Sequence, residues 1–321
     1  MKIIKYSLIV LLVVGGLGVT FYFNQSENQK ARESFNILSG PRGGVYQVVA
    51  VAMTEVISAK LPNTIATMSP SFGSIDNVKA IDKKRSQAAI AMLDAATAGY
   101  RGSVDYNRES QDVRVMAKLY KNRMHLVVFE NSDIKTVADL NGKRLGTGPT
   151  GSGIAFMTDH FIKANKLDVI SVPLTLTESS YQLENGGIDA FIVVGGVPTR
   201  EVTNLATKRP IRLINTGDSL DAMNKLFGGY NKSVIKAGSY PGITEDVSIV
   251  ETDNVLIVPA SMSNKRAYEI TKALFENQKE LEKRHVVMKN LIVENQTPLE
   301  IPYHPGAQKY FNEQRLRVVS K

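Results

Sequence analysis

Two glycine-rich segments have the composition of turns that bind anions at the start of a helix. The first spans residues 39–44 and precedes an amphipathic pattern that begins at Val45, and the second spans residues 146–153. Backbone N–H groups at a helix start are unpaired and lie at the positive end of the helix dipole, so small side chains there let a carboxylate or phosphate approach. The spacing alone is equally compatible with plain tight turns between a strand and a helix.

A third segment, residues 69–74, has the same character. It ends in Ser74, whose hydroxyl either caps the next helix or is offered to a ligand. Three such turns, each between a strand pattern and a helix pattern, predict a cleft whose walls are helix N-termini. A small anion is the natural occupant of such a cleft.

The sequence lacks the residue patterns of a metal centre, a nucleotide-binding loop or a nucleophilic enzyme. It contains no Cys, and its four histidines do not form the paired spacing of a zinc site. Gly146, Gly148 and Gly151 match the dinucleotide fingerprint, but Ser171 stands where the acidic residue would follow. We therefore expect no catalysis, no metal and no cofactor. An enzyme for a phosphorylated substrate stays an alternative that rests only on the glycine-rich turns.

The net charge of +8 comes from 39 basic and 31 acidic residues. The basic residues are scattered along the chain, with no arginine-rich stripe and no interleaved aromatic residues on which bases stack. The excess of positive charge therefore indicates a solvated surface, and no nucleic-acid partner is expected.

The N-terminus has the pattern of a targeting segment. Lys2 and Lys5 precede an uncharged, largely apolar run at residues 6–26, which is long enough to cross a bilayer. A convincing small-residue cleavage site is missing, since bulky aromatic residues follow at 21–23. The sequence predicts that residues 1–30 form a signal anchor or signal peptide with a tether. The remainder then lies in the periplasm or on the extracytoplasmic face, anchored to the inner membrane by residues 6–26.

Strand and helix patterns alternate after the tether. Short apolar runs, typical of strands that are buried on both faces, are followed by segments with helical periodicity. The strand patterns lie at residues 35–38, 64–68, 88–92, 126–129, 144–147 and 190–194. This alternation predicts an α/β protein with mainly parallel sheets.

Two longer patterns, at residues 113–129 and 248–259, are interpreted as strands that pass between two lobes. The first is predicted as two stretches separated by a basic turn at residues 121–123. The expected organisation is a discontinuous lobe 1 at 31–123 and 216–321, with lobe 2 inserted at 124–215.

Several motifs in collinear order resemble the TAXI solute receptors of TRAP transporters, over residues 34–312. The matching motifs are Gly-Gly-Val-Tyr (43–46), Gly-Ser-x-x-Asn (73–77), Asp94, Asp-Leu-x-Gly-Lys-Arg (139–144), Gly-x-x-Gly-Ser-Gly (148–153), Gly-x-Ile-Asp-Ala-Phe (186–191), Gly-x-Pro (196–198) and Ile-Pro-Tyr-His-Pro-Gly-Ala-Gln-Lys-Tyr (301–310). The resemblance implies a type II periplasmic-binding-protein fold, with two α/β lobes, each a mostly parallel sheet flanked by helices, that close on a small ligand. It also implies transfer of that ligand to a sodium-coupled membrane permease.

The resemblance also implies the ligand class and the residues that bind it. Relatives bind glutamate, glutamine or 2-oxoglutarate, so a small anionic metabolite and a TRAP-type permease are the expected partners. The implied ligand-binding residues of the two lobes are Gly44, Val45, Tyr46, Ser74 and Asp94 in the first, and Thr150, Ser152 and Gly153 in the second.

The chain departs from the family pattern beside these residues. Met92-Leu93 stands where relatives often have Gln-Ser before the acid, and Pro41-Arg42 replaces a small polar pair in the first turn. These changes leave open a larger or more apolar acid as ligand, or no ligand at all. They also leave open a membrane-anchored binding or sensing module of the same fold without a transport role.

Overall fold

The computed structural model describes residues 32–42, 44–102 and 112–319. The strands are β1 (Glu33–Leu38), β2 (Thr64–Ser69), β3 (Ala88–Met92), β4 (Val113–Phe129), β5 (Arg144–Gly146), β6 (Ile170–Val172), β7 (Ala190–Gly195), β8 (Ile211–Ile214), β9 (Asn231–Ile235) and β10 (Val247–Pro259). The helices are α1 (Val45–Lys60), α2 (Ser74–Asp82), α3 (Leu93–Arg101), α4 (Gly153–Asn165), α5 (Leu176–Glu184), α6 (Arg200–Lys208), α7 (Leu220–Leu226), α8 (Asn264–Glu276), α9 (Gln278–Arg284) and α10 (Pro305–Val319). The predicted α/β class is confirmed.

The strands form one mixed sheet with the order β2-β1-β3-β10-β4-β7-β5-β6, and β8 and β9 pair with β4 and β10. The strands β1, β2 and β3 are parallel to one another and form the first strand group. The strands β5, β6 and β7 are likewise parallel and form the second strand group. Antiparallel β4 and β10 lie between the two groups, so the sheet is less parallel than the sequence predicts.

The long strands β4 and β10 connect the two groups. Residues 113–123 of β4 pair with β10, and residues 123–127 pair with β7. The predicted turn at residues 121–123 is wrong, because the strand runs through these residues without a break. Its polar side chains pair across the strands instead: Lys121 lies 3.2 Å from Glu251 and 3.3 Å from Asp253. The lobe boundaries near residues 123 and 216 stay a prediction.

Helices cover both faces of the sheet, and β3 shows why its sequence is apolar throughout. Ala88 and Ile90 belong to the core formed with α1, α8 and α10, whereas Ala89 and Ala91 belong to the core formed with α2, α3 and α4. Successive side chains of a strand point to opposite faces, so a strand covered on both sides buries every residue.

The second of these cores also joins the two strand groups. It contains Val78 of α2 and Ala95 of α3, two helices that follow strands of the first group. It also contains Phe156 and Met157 of α4, the helix that follows β5 of the second group. The helices that begin beside the predicted cleft are therefore packed against one another.

None of the helices in the described part of the chain has the length and apolar character that a membrane span requires. The predicted anchor at residues 6–26 and the tether lie outside the described residues.

Candidate functional site

The starts of α2 and α4 meet at a glycine seam, formed by Gly73 and Ser74 on one side and Ser152 and Gly153 on the other. A Cβ atom added to Gly73 would lie 3.2 Å from the Cα of Ser152. A Cβ added to Gly153 would lie 2.5 Å from both the Ser74 Oγ and the Met92 Sδ, closer than any real side chain approaches. Two helix N-termini from different strand groups thus come together only because glycine stands at the contact.

The hydroxyls of Ser74 and Ser152 have different roles at this seam. Ser152 is the N-cap of α4, and its Oγ accepts a hydrogen bond from the Ala155 N–H at 3.1 Å. Ser74 is already the first residue of α2, whose N-cap is Gly73 with a φ of 118°. The interpretation of Ser74 as the helix cap is therefore wrong. Its Oγ accepts the Met92 N–H at 3.0 Å and ties the helix start to the end of β3.

Tyr46, near the start of α1, reaches the central strands through its hydroxyl. The hydroxyl donates a hydrogen bond to the Oδ1 of Asn254 on β10, and this oxygen also accepts from the Nδ2 of Asn122 on β4 at 2.8 Å. Both asparagines are buried. Burial also raises the pKa of Tyr46 well above its usual value, so the phenol stays protonated.

Replacing Asn254 by Leu should destabilise the protein, because the Tyr46 hydroxyl and the Asn122 amide would lose their shared acceptor. Leaving buried donors unpaired costs about 1 to 3 kcal/mol each, so we expect a loss of about 2 to 5 kcal/mol in the free energy of unfolding. Urea denaturation measures this loss. Asn231→Leu, at an exposed position of β9, is the control. A loss below about 1 kcal/mol for Asn254→Leu would contradict the assigned hydrogen bonds.

Asp94, in the first turn of α3, is the acidic residue of the site. Its Oδ1 accepts from the Ala95 N–H at 2.8 Å, and its Oδ2 accepts from the Tyr230 hydroxyl at 3.0 Å. The Tyr230 oxygen in turn lies 2.6 Å from the Nδ1 of His160 on α4. Burial raises the pKa of the Asp94 carboxyl to about 6, which makes its ionised form costly in this position.

Burial also keeps the histidine of this chain of hydrogen bonds neutral. It lowers the pKa of the His160 imidazole to about 4. These contacts bring together hydroxyls, amides, a neutral imidazole and helix N-termini. The Asp94 carboxylate is therefore the one charged group among them.

The remaining predicted site residues lie at the edge of this arrangement. Gly44 is the exposed N-cap of α1, and Val45 is half-buried against the core beneath that helix. Thr150 is exposed in the turn before α4. The structure thus gathers Tyr46, Ser74 and Asp94 with the start of α4, whereas Gly44 and Thr150 lie in solvent-exposed turns. Assignment of these residues to a ligand stays a prediction.

The sequence does not predict four polar residues of the site: Asn122, Asn254, Tyr230 and His160. A usable signal existed for the asparagines, because each belongs to a short polar stretch, at residues 121–123 and 251–254, inside a long and otherwise largely apolar strand pattern. No local pattern marks Tyr230 or His160, which are far apart in sequence.

Clusters of metal-binding residues were not found within residues 32–42, 44–102 and 112–319, where no group of three His, Asp or Glu side chains converges.

The fold is α/β, with a mixed sheet in which two groups of parallel strands are joined by long crossing strands. A model of the NMT1-like family matches residues 37–314, and the chain belongs to this family.

Solved structures with the same fold share little sequence with this chain. XAC2383 from Xanthomonas citri bound to ATP superposes with a TM-score of 0.56 at 9% identity, covering 89% of this chain and 98% of that one. MatC (Rpa3494) from Rhodopseudomonas palustris with bound malate gives 0.55 at 12% identity, covering 90% and 99%. A structure described as a periplasmic transporter gives 0.52 at 13% identity, covering 91% and 98%. At these identities the likeness shows the fold alone.

Proposed function

We propose that the chain is an extracytoplasmic solute-binding receptor that captures a small anionic metabolite, of the glutamate, glutamine or 2-oxoglutarate type, between two lobes. The observation that carries this proposal is the glycine seam, where helix N-termini from two strand groups face each other beside buried polar side chains. Such N-termini supply N–H donors for a carboxylate without a cationic side chain. The NMT1-like family and the periplasmic-binding-protein fold support the same function.

The charge of the site favours a solute that carries an ammonium group as well as a carboxylate. Asp94 brings a buried carboxylate to the seam. A second negative charge about 5 Å from it would cost about 3 kcal/mol at the effective dielectric constant of a protein interior. An ammonium group at the same place would be attracted instead. Glutamine and glutamate are therefore better candidates than the dianion 2-oxoglutarate.

Delivery to a TRAP-type permease and anchoring by residues 6–26 complete the proposed role. The resemblance to TAXI receptors supports the permease, and the apolar N-terminal run supports the anchor. A receptor held at the outer face of the inner membrane would release its solute close to the permease.

A thermal-shift panel tests the function and the ligand class together. It contains L-glutamine, L-glutamate, 2-oxoglutarate, malate and ATP, the last two because they occupy MatC and XAC2383. A solute at 100 times its dissociation constant adds about 2.7 kcal/mol to the free energy of unfolding and raises the melting temperature by a few degrees. We expect the largest rise with glutamine or glutamate at pH 8.

The pH dependence of the panel separates the charge argument from the function. Because the Asp94 pKa is about 6, the carboxyl is largely protonated at pH 5. The disadvantage of 2-oxoglutarate should therefore shrink at that pH. A constant preference for 2-oxoglutarate at both pH values would contradict the charge argument, and silence of the whole panel would contradict the receptor function.

A further inference from the structure

We infer that Tyr230 is a closing residue, whose hydroxyl fastens the side of the cleft that carries α4 to the side that carries α3 by its hydrogen bond to Asp94. The inference rests on the proposed function, since a latch between two sides matters in a receptor that opens and closes. It assigns a role to two residues, Tyr230 and His160, that lie outside the predicted ligand-binding set.

The two partners of this bond belong to different parts of the sheet. Asp94 lies on α3, which directly follows β3 of the first strand group. Tyr230 directly precedes β9, which pairs with residues 247–251 of β10. Its backbone N–H and carbonyl are both hydrogen bonded, at 3.0 Å, to the side chain of Asn224 on α7, and α7 packs against α4. The phenol is thus fixed to the side that carries α4.

His160 holds the Tyr230 hydroxyl in the direction of Asp94. The phenol has one proton, which it donates to the Asp94 Oδ2. The Nδ1 of His160, 2.6 Å from the phenol oxygen, must therefore be the donor to that oxygen. The imidazole is itself fixed, because it stacks on the Phe227 ring with 3.5 Å between centroids. Because the neutral, stacked His160 donates to the Tyr230 oxygen, the Tyr230 hydroxyl has the Asp94 carboxylate as its acceptor.

This hydrogen bond differs in kind from the glycine seam. The seam is a contact between backbone and small side chains. It permits the two sides to approach closely but does not stabilise the closed form over the open form. The bond from Tyr230 ends on a buried carboxylate, and hydrogen bonds to charged groups are stronger and more directional than neutral ones. Opening the cleft breaks it, so it adds to the stability of the closed form.

Tyr240 provides a matched control within one part of the sheet. Its hydroxyl lies 2.8 Å from the Nε2 of His125 on β4 and accepts the Thr199 N–H at 2.8 Å. Both tyrosines are buried, and each has an edge-to-face contact with its histidine. His125 lies on β4 opposite residue 193 of β7, and Thr199 follows the end of β7. Neither partner of Tyr240 belongs to the first strand group. Tyr240→Phe therefore removes an equivalent Tyr–His bond without affecting closure.

The test measures closure of the full chain without added solute. The sequence contains no Cys, so Lys60→Cys on α1 and Lys208→Cys on α6 introduce a unique pair of sites for energy-transfer dyes. We expect Tyr230→Phe to lower the ratio of closed to open molecules by roughly 10- to 100-fold, the effect of losing a hydrogen bond to a charged group. Tyr240→Phe should leave this ratio unchanged and lower the urea midpoint.

Asp94→Ala removes the acceptor from the opposite side and gives a second test. We expect it to open the cleft as Tyr230→Phe does, and the double variant to open it no further than either change alone. Equal closed populations in the wild type and Tyr230→Phe, or fully additive effects of the two changes, would overturn the inference. The affinity for L-glutamine is measured separately. If the protein binds L-glutamine but the closed population does not change, the inference about Tyr230 fails while the receptor function stands.

Discussion

Gly153→Val is expected to weaken solute capture roughly 10- to 100-fold while the two strand groups stay folded. The added Cβ would lie 2.5 Å from the Ser74 Oγ and the Met92 Sδ, on the opposite side of the seam, and Ser74 is held by the Met92 N–H. The sides can relieve this overlap by separating. Overpacking of this kind costs about 1 to 3 kcal/mol, which lowers the affinity for a solute enclosed by closure roughly 10- to 100-fold.

Gly146→Val is the matched control for this prediction. A Cβ at Gly146 would lie 2.8 Å from the Phe191 Cβ, an equally forbidden contact, but both residues belong to the second strand group. This change should lower the melting temperature and leave the affinity of the folded protein for L-glutamine unchanged in calorimetry. Wild-type affinity in Gly153→Val would show that the seam does not close over the solute.

Asp94→Asn is expected to gain stability relative to the wild type as the pH rises. The buried carboxyl has a pKa of about 6, against 3.8 in the unfolded chain. Between these values the unfolded chain ionises and the folded protein does not, so the wild type loses stability as the pH rises from about 4 to above 6. The difference corresponds to about 3 kcal/mol, which the amide variant does not lose.

Urea denaturation at pH 4 and pH 8 measures this effect, and Asp189→Asn is a control with the opposite sign. The Arg144 guanidinium, 2.6 Å from Asp189, holds the pKa of that carboxyl below its usual value. Its stabilising contribution is present at neutral pH and is lost in acid, so Asp189→Asn should cost stability at pH 8 rather than gain it. A difference between wild type and Asp94→Asn that does not change with pH would contradict the buried carboxylate.

The fold class could be predicted from the sequence because its signals are local. Continuous apolar runs such as residues 88–92 are expected where helices cover both faces of a strand, and the helical periodicity that follows Val45 is observed as α1. The antiparallel pairing of β4 and β10 is not predictable from the sequence, since parallel and antiparallel buried strands have the same apolar pattern. The sequence predicts a turn at the basic residues 121 and 123 because their acidic partner Glu251, on the neighbouring strand β10, is far away along the chain.

The helix starts at the site were also predictable, whereas the polar side chains that complete it were not. Glycine-rich turns identify Gly73 and Gly153 as places of close approach, but nothing local indicates that the two approach each other. The hydrogen bond between Tyr230 and Asp94 spans 136 positions in sequence, and its partner His160 is 70 positions from Tyr230. Such contacts are determined by the topology of the sheet, which a single sequence does not specify.

The most direct test of solute capture between the two sides is a crystal structure of the protein with the panel solute that gives the largest thermal shift. We predict electron density for the solute beside Tyr46, Ser74 and the start of α4, with its carboxylate on backbone N–H groups and the two sides closed over it. Density for the solute in the surface groove beside Phe129, Leu183 and Arg209, with none beside Tyr46 and Ser74, would contradict the account.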